Sequence, residues 1–232
     1  MIILTVICSV VLSYGSEIDS RAEESQDYET ENGEESDNTI CLSDCNTDIV
    51  ITDKESIDII MDEYDLGDSE DVEEIYYSPI EDSDDMEEEE ISREVGANEY
   101  YVKKKGSSEK KGRLLRSSVF EAPGGTMTIS EKVETTVSFS NTASVSGGMK
   151  EVKAELSSTY GFNVSKSITC SDTQKVNVKK GCTRNCKAYV NVKQYNYELW
   201  EDDQWYDDYI GKGSIKRPVG VIFVLGKNVE KK

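Results

Sequence analysis

Between Thr126 and Ser146 every even position is polar, while the odd positions carry Met127, Ile129, Val133, Val137, Phe139, Ala143 and Val145. A period of two demands extended backbone with one wet face and one apolar face. Held for about twenty residues, it far exceeds an ordinary strand of about 5–6 residues. Beyond Gly147-Gly148 the parity reverses: Val152, Ala154, Leu156, Tyr160, Phe162, Val164, Ile168 and Cys170 are all even. A loop of even length pairs odd with even positions, so Val145 set opposite Val152 brings both apolar stripes to one side. The expected element is one long amphipathic hairpin, Thr126–Ser146 antiparallel to Val152–Cys170.

Shorter strands follow in "TQKVNVKKG", "KAYVNVKQYNYELW" and "WYDDYIGKG", and "PVGVIFVLG" reads as a buried one. Tyr189, Tyr195 and Tyr197 favour extended structure. No convincing helix interrupts residues 124–226. The expected class is all-β, an elongated antiparallel sheet or sandwich over residues 121–227.

Charge divides the chain. Residues 1–100 hold 33 Asp and Glu against 3 Lys and Arg, whereas residues 101–232 hold 14 against 23. Stretches such as "EDSDDMEEEE" bury too little apolar surface to offset the entropy of ordering. Residues 16–101 therefore read as a long disordered acidic region that could act as a propeptide. Within it "KESIDIIMDEYDL" admits a short helix, since Ile57, Ile60, Met61 and Tyr64 recur at helical spacing. Residues 102–120 read as a flexible basic linker, and Arg113 and Arg116 resemble a processing site for a secretory protease.

The run from Ile2 to Tyr14 spans about 20 Å as a helix, too short for a hydrocarbon core of about 30 Å. It reads as the core of a signal peptide, residues 1–15, cleaved before Ser16. No Lys or Arg precedes it, so either the amino group of Met1 is its sole positive charge or the true start lies further upstream. Secretion accords with the cysteines. "CLSDC" and "CTRNC" share a C-x-x-x-C spacing that suits local disulfides or a zinc site, and an oxidising compartment favours disulfides, Cys41–Cys45 and Cys182–Cys186.

The chain has no histidine, which excludes His-based triads and His-ligated zinc. It lacks phosphate-cradling glycine loops, and most carboxylates fall in the acidic region rather than in a cleft. Neither an enzyme nor a cofactor or metal protein is expected. The basic residues form no stripe interleaved with exposed aromatics, so nucleic acid is not an expected partner.

Residues 124–226 resemble a group of small secreted Gram-positive bacterial β-proteins of unassigned function, through the Ser/Thr-rich hairpin, "YGFNVSKSITCSDT" and "IGKGSIKRPVGVIFVLG". The Ser/Thr alternation also resembles the membrane-inserting region of aerolysin-type β-pore-forming toxins. That second resemblance implies a hairpin whose stripe (Val133, Val137, Phe139, Val145, Val152, Leu156, Tyr160, Phe162 and Val164) covers the core in one state and faces lipid in another. Two functions follow: a secreted non-enzymatic β-domain that binds a surface or partner, or an aerolysin-like pore-former held by its acidic pro-region. The expected partners are membrane lipid, a cell-surface receptor or further copies of the chain.

Overall fold

The computed structural model describes residues 41–80, 99–141, 145, 148–202 and 206–231. The expected signal peptide lies outside them. The protein is mostly β and its strands pair antiparallel. In chain order they are β1 (Ile49–Ile51), β2 (Val72–Pro79), β3 (Glu99–Glu121), β4 (Gly124–Glu134), β5 (Thr136–Phe139), β6 (Ser167–Asn177), β7 (Cys182–Asp202), β8 (Asp207–Gly226) and β9 (Val229–Glu230). Helix α1 covers Lys54–Glu63 and α2 covers Met149–Tyr160.

The main sheet runs β1-β2-β8-β7-β3, with β5 and β9 added alongside β8 and β7. Its frame is three long strands of 23, 21 and 20 residues. At about 3.3 Å per residue the longest reaches roughly 75 Å. A separate two-stranded ribbon, β4-β6, packs on it.

Alternation along β7 sorts the core. Cys182, Cys186, Ala188 and Val190 join Phe223 and Leu225 of β8 beneath Met127 and Ile129 of β4 and Cys170 and Val176 of β6. The odd residues of β7 serve the opposite face twice. At one end Tyr189 packs with Ile222 and Val224 under α1 and Leu42; at the other Tyr197 and Leu199 lie under α2. β5 lies against Gly213–Lys216 of β8, on a stretch that β2 does not reach. It carries the chain from the face under the ribbon to the face under α2.

Several expectations are corrected here. Residues 41–79, read as disordered, form α1, β1 and β2 and share a core with β8. Asp53 caps α1 by accepting from the Ser56 amide at 2.8 Å, and Ile57, Ile60 and Met61 are its buried face. Scattered apolar residues from across the segment, Leu42 to Tyr77, suffice because they gather against Ile222 and Val224 of β8. Residues 102–120, read as a linker, lie within β3. Its lysines and register shifts are devices that protect an exposed strand edge from pairing with other chains.

The single long hairpin is likewise replaced. β4 pairs with β6 in the register Thr126↔Lys175 to Glu134↔Ser167, and residues 149–160 are helical. Val152, Leu156 and Tyr160 stand four apart, and four is even, so a helical stripe imitates strand parity. Met, Lys, Glu, Ala and Leu in "MKEVKAEL" are strong helix formers. Gly161, left-handed at φ 77°, ends the helix with its amide on Ser157 O at 2.9 Å.

None of the five described cysteines is in a disulfide. Cys182 and Cys186 are not astride a turn: both belong to β7, where four residues span about 13 Å, beyond the roughly 7 Å limit between bridged Cα atoms. Cys41 and Cys45 flank one turn of 3₁₀ helix, Leu42–Asp44. Burial pushes the thiol of Cys170 up to about 11 and that of Cys186 up to about 12. Thiol alkylation at neutral pH should therefore spare Cys170 and Cys186 until the protein is unfolded. Peptide mapping without reductant checks this, and a Cys182–Cys186 peptide would contradict the strand.

Candidate functional site

Two turns at one end of the long strands define the candidate element. β3 ends at Glu121, turns through the cis Ala122–Pro123 peptide and continues as β4. β6 ends at Asn177 and enters β7 through Val178–Gly181. Gly124, at φ 112°, lies so close to β6 that a Cβ would stand 2.0 Å from Val176 O. No other residue fits this turn.

The registers on either side of the turns differ by three residues. β3 meets β7 at Glu121↔Thr183, and β4 meets β6 at Gly124↔Asn177, three positions on along one strand and six back along the other. The four strands thus form one antiparallel ribbon folded in half, whose far end leads into β5 and returns from α2. Its outer half presents Thr126, Thr128, Ser130, Lys132, Thr169, Ser171, Thr173 and Lys175 to solvent. Its inner face buries Met127, Ile129, Cys170 and Val176, with Glu131 and Asp172 partly buried among them.

β3 holds the folded half down. Arg113 Nη2 lies 2.8 Å from Glu131 Oε2 and 3.3 Å from Lys132 O. Arg116 Nη1 donates to Thr128 O at 3.0 Å. These are the arginines read from sequence as a processing site, and they sit in a paired strand rather than a flexible linker.

The stripe residues divide by location. Val133 packs at the core beneath β4 and β6. Val137, Phe139, Val145, Val152, Leu156, Tyr160, Phe162 and Val164 all join the core around α2, at the far end of the long strands. The sequence had set both groups on one continuous face.

A second buried feature fixes the 41–79 segment to the sheet. The Glu109 side chain on β3 is 3% exposed. It accepts from Tyr64 OH at 2.8 Å, from Asn191 Nδ2 at 2.9 Å and from the Ser43 amide at 3.1 Å, as well as from the Ser43 hydroxyl. Lys193 Nζ lies 3.8 Å away. Tyr64 OH in turn accepts from the Leu42 amide at 3.1 Å, and burial, then the Glu109 charge, raises its phenol well above the usual range. Nothing in the charge pattern singled out Glu109; its partners lie 45 to 82 residues away in the chain.

Aromatic side chains gather near the end of the β7–β8 pair where the two strands are joined, beside Asp202↔Asp207. Tyr101 stacks on Trp200 at 6.4 Å, Tyr209 meets Trp200 edge-on at 5.2 Å, and Lys103 Nζ stands 3.9 Å from the Trp200 ring centre. Tyr101 OH donates to Asp207 Oδ2 at 2.8 Å. Tyr206 is 79% exposed and Tyr209 51%.

No protein-family model matches the chain, and no curated protein does. Among solved structures, a candidate pore-forming toxin from Bacteroides vulgatus aligns with 9% identity and a TM-score of 0.31. The alignment spans 57% of this chain and 57% of that one, less than two thirds of its length. At that similarity it decides neither fold nor function.

Proposed function

We propose that the protein is a secreted, non-enzymatic, membrane-active β-protein whose folded ribbon straightens at a lipid surface. The folding of two antiparallel pairs, β3–β7 and β4–β6, over a pair of adjacent turns is the observation that supports this most. Straightening the turns would continue β3 into β4 and β6 into β7 with both pairings kept and a three-residue bulge between them, and would release β5 from β8 and α2 from its core. Each outer strand has 11 residues, against the about 9–11 needed to cross a bilayer. The Ser/Thr face suits a hydrated lumen, and the Met127–Val176 face suits lipid.

The magnitudes explain why such a protein is soluble first. Withdrawing Met127, Ile129, Cys170 and Val176 from the sheet costs about 1.5–3 kcal/mol for each large side chain. Lipid returns that burial, and further copies of the chain can cover the exposed sheet. Glu131 and Asp172 lie on the apolar face and set a cost against insertion. The aromatic end supports a second reading, a surface-binding domain, because amphipathic Tyr and Trp suit a wet boundary.

Thiol accessibility separates the two. The full chain is mixed with dye-loaded phosphatidylcholine and phosphatidylglycerol vesicles and labelled with a maleimide. Insertion requires dye release together with labelling of Cys186, which the ribbon covers on the main sheet; Cys170 travels with β6 on the lipid-facing side. Vesicle binding without dye release and with Cys186 still protected would sink insertion and leave the surface-binding reading standing.

A further inference from the structure

Two side chains fasten the turn from β6 to β7, Val178–Gly181, to the main sheet. Asn228, between β8 and β9, is one of them. Its Oδ1 accepts from the Lys179 amide at 2.9 Å, and its Nδ2 donates to Glu73 Oε2 on β2 at 3.3 Å. The backbone around it is held on both sides: the Lys227 amide donates to Asp71 O at 2.8 Å, and Val229 pairs with Thr183 of β7. One amide group thus ties the turn to β2.

Arg184 of β7 is the other, and its side chain is only 7% exposed. Nε donates to Gly226 O at 2.7 Å, and Nη1 reaches Asn177 O, at the end of β6, at 3.5 Å. Nη2 lies 3.3 Å from both Glu73 Oε2 and Glu74 Oε2. Neighbouring residues of a regular strand point to opposite faces. Here the bulge between Val72 and Glu74 re-aims β2, so both carboxylates meet one guanidinium. Between the turn and β2 lies an open cavity of about 510 Å³, lined by Thr52, Glu73, Glu74, Val178, Arg184 and Asn228. Polar bridges rather than close packing join the two there.

The geometry points to Asn228 and Arg184 as a latch that keeps the ribbon folded. This rests on the straightening proposed above and names the contacts that govern it. Straightening carries Asn177 and Lys179 away from the sheet, whereas Glu73, Glu74 and Gly226 stay on it. Both bridges must therefore break before β6 can continue into β7. Neither takes part in the β3–β7 or β4–β6 pairing, so their loss frees the turn and leaves the ribbon intact.

The test compares the full chain with its Asn228→Ala and Tyr64→Phe variants. Maleimide labelling of Cys186 in solution reports lifting of the ribbon, and dye release from the same vesicles reports insertion. Asn228→Ala removes both amide bonds and should speed each readout at least about fivefold, the yield of one lost hydrogen bond of ordinary strength. Tyr64→Phe lowers the melting temperature from the opposite face of the sheet and should change neither rate more than about twofold, since it leaves the turn alone. Labelling of Cys186 in Asn228→Ala at the parent rate, or equal acceleration by Tyr64→Phe, would overturn the latch. Faster labelling in Asn228→Ala with no dye release from either protein would uphold the latch and sink straightening at a membrane.

Discussion

Replacing Glu109 by alanine should destabilise the full chain by about 3–5 kcal/mol, the scale of breaking a buried ionic partnership. The carboxylate is the shared acceptor of the Tyr64 hydroxyl, the Asn191 amide and the backbone and hydroxyl of Ser43. Alanine leaves all of these donors facing a void. Asn191 is 0% exposed, so bulk solvent does not reach it to replace the lost bond. At roughly 2–4 °C per kcal/mol for a chain of this size, the melting temperature should fall by about 10 °C. Tyr64→Phe removes the bond to Glu109 and the one accepted from the Leu42 amide and should cost about 1–3 kcal/mol. Thermal melts decide the matter. A Glu109→Ala protein as stable as the parent would mean that the 41–79 segment is held by apolar contacts alone. Limited proteolysis adds a spatial readout, because cleavage in Glu109→Ala should begin around Ser43 and spare β7 and β8.

A cross-link between β4 and the main sheet should abolish membrane activity. Met127 Sδ lies 3.7 Å from Cys186 Sγ, so Met127→Cys, whose sulfur stands one bond nearer the β4 backbone, faces the native thiol across the core with no further substitution. In the straightened ribbon position 127 would stay opposite Gln174. Gln174 and Cys186 are 12 positions apart in the chain, about 40 Å of extended strand, so no disulfide could span them. Oxidised Met127→Cys should therefore release vesicle dye at least tenfold more slowly than its reduced form, and reductant should restore release. The bridge closes a loop of about 60 residues, for which chain entropy predicts a gain of about 4 kcal/mol. The oxidised protein should accordingly melt higher, which verifies the bond independently of the vesicles. Equal leakage from the two forms would show that β4 remains in place, and the straightening mechanism would have to be abandoned.

Much of the architecture is visible along the chain. The polar–apolar alternation of Thr126–Glu134 marks a strand because a period of two is that of extended backbone, and the short, β-branched, glycine-bounded run "PVGVIFVLG" marks a buried one. The antiparallel, mostly β class follows from them. The helical spacing of Ile57, Ile60, Met61 and Tyr64 is legible for the same reason, although the surrounding acids argued for disorder. What the sequence could not convey is which apolar residues share a core. Residues 41–79 look too polar to fold because their apolar residues are scattered among acids and the surface they gather on, Ile222 and Val224 of β8, comes more than 140 residues later.

The tertiary structure alone decided three matters, each for a physical reason. Val152, Leu156 and Tyr160 satisfy strand parity and helical spacing equally, and the choice fell to helix because Tyr197, Leu199 and Ile215 present a broad apolar surface that α2 covers. Arg113 and Arg116 carry no local mark of a partner; they became clamps on β4 because the chain reverses at Pro123 and lays β4 beside β3. Cys182 and Cys186 suggest a bridged turn by spacing, yet pairing with β8 and β3 holds that stretch of β7 extended and the sulfur atoms apart. Periodicity is a local property and survives in sequence. Pairing between distant strands is not, and here it determined where the ribbon folds, what Glu109 ties together and where Asn228 meets the turn.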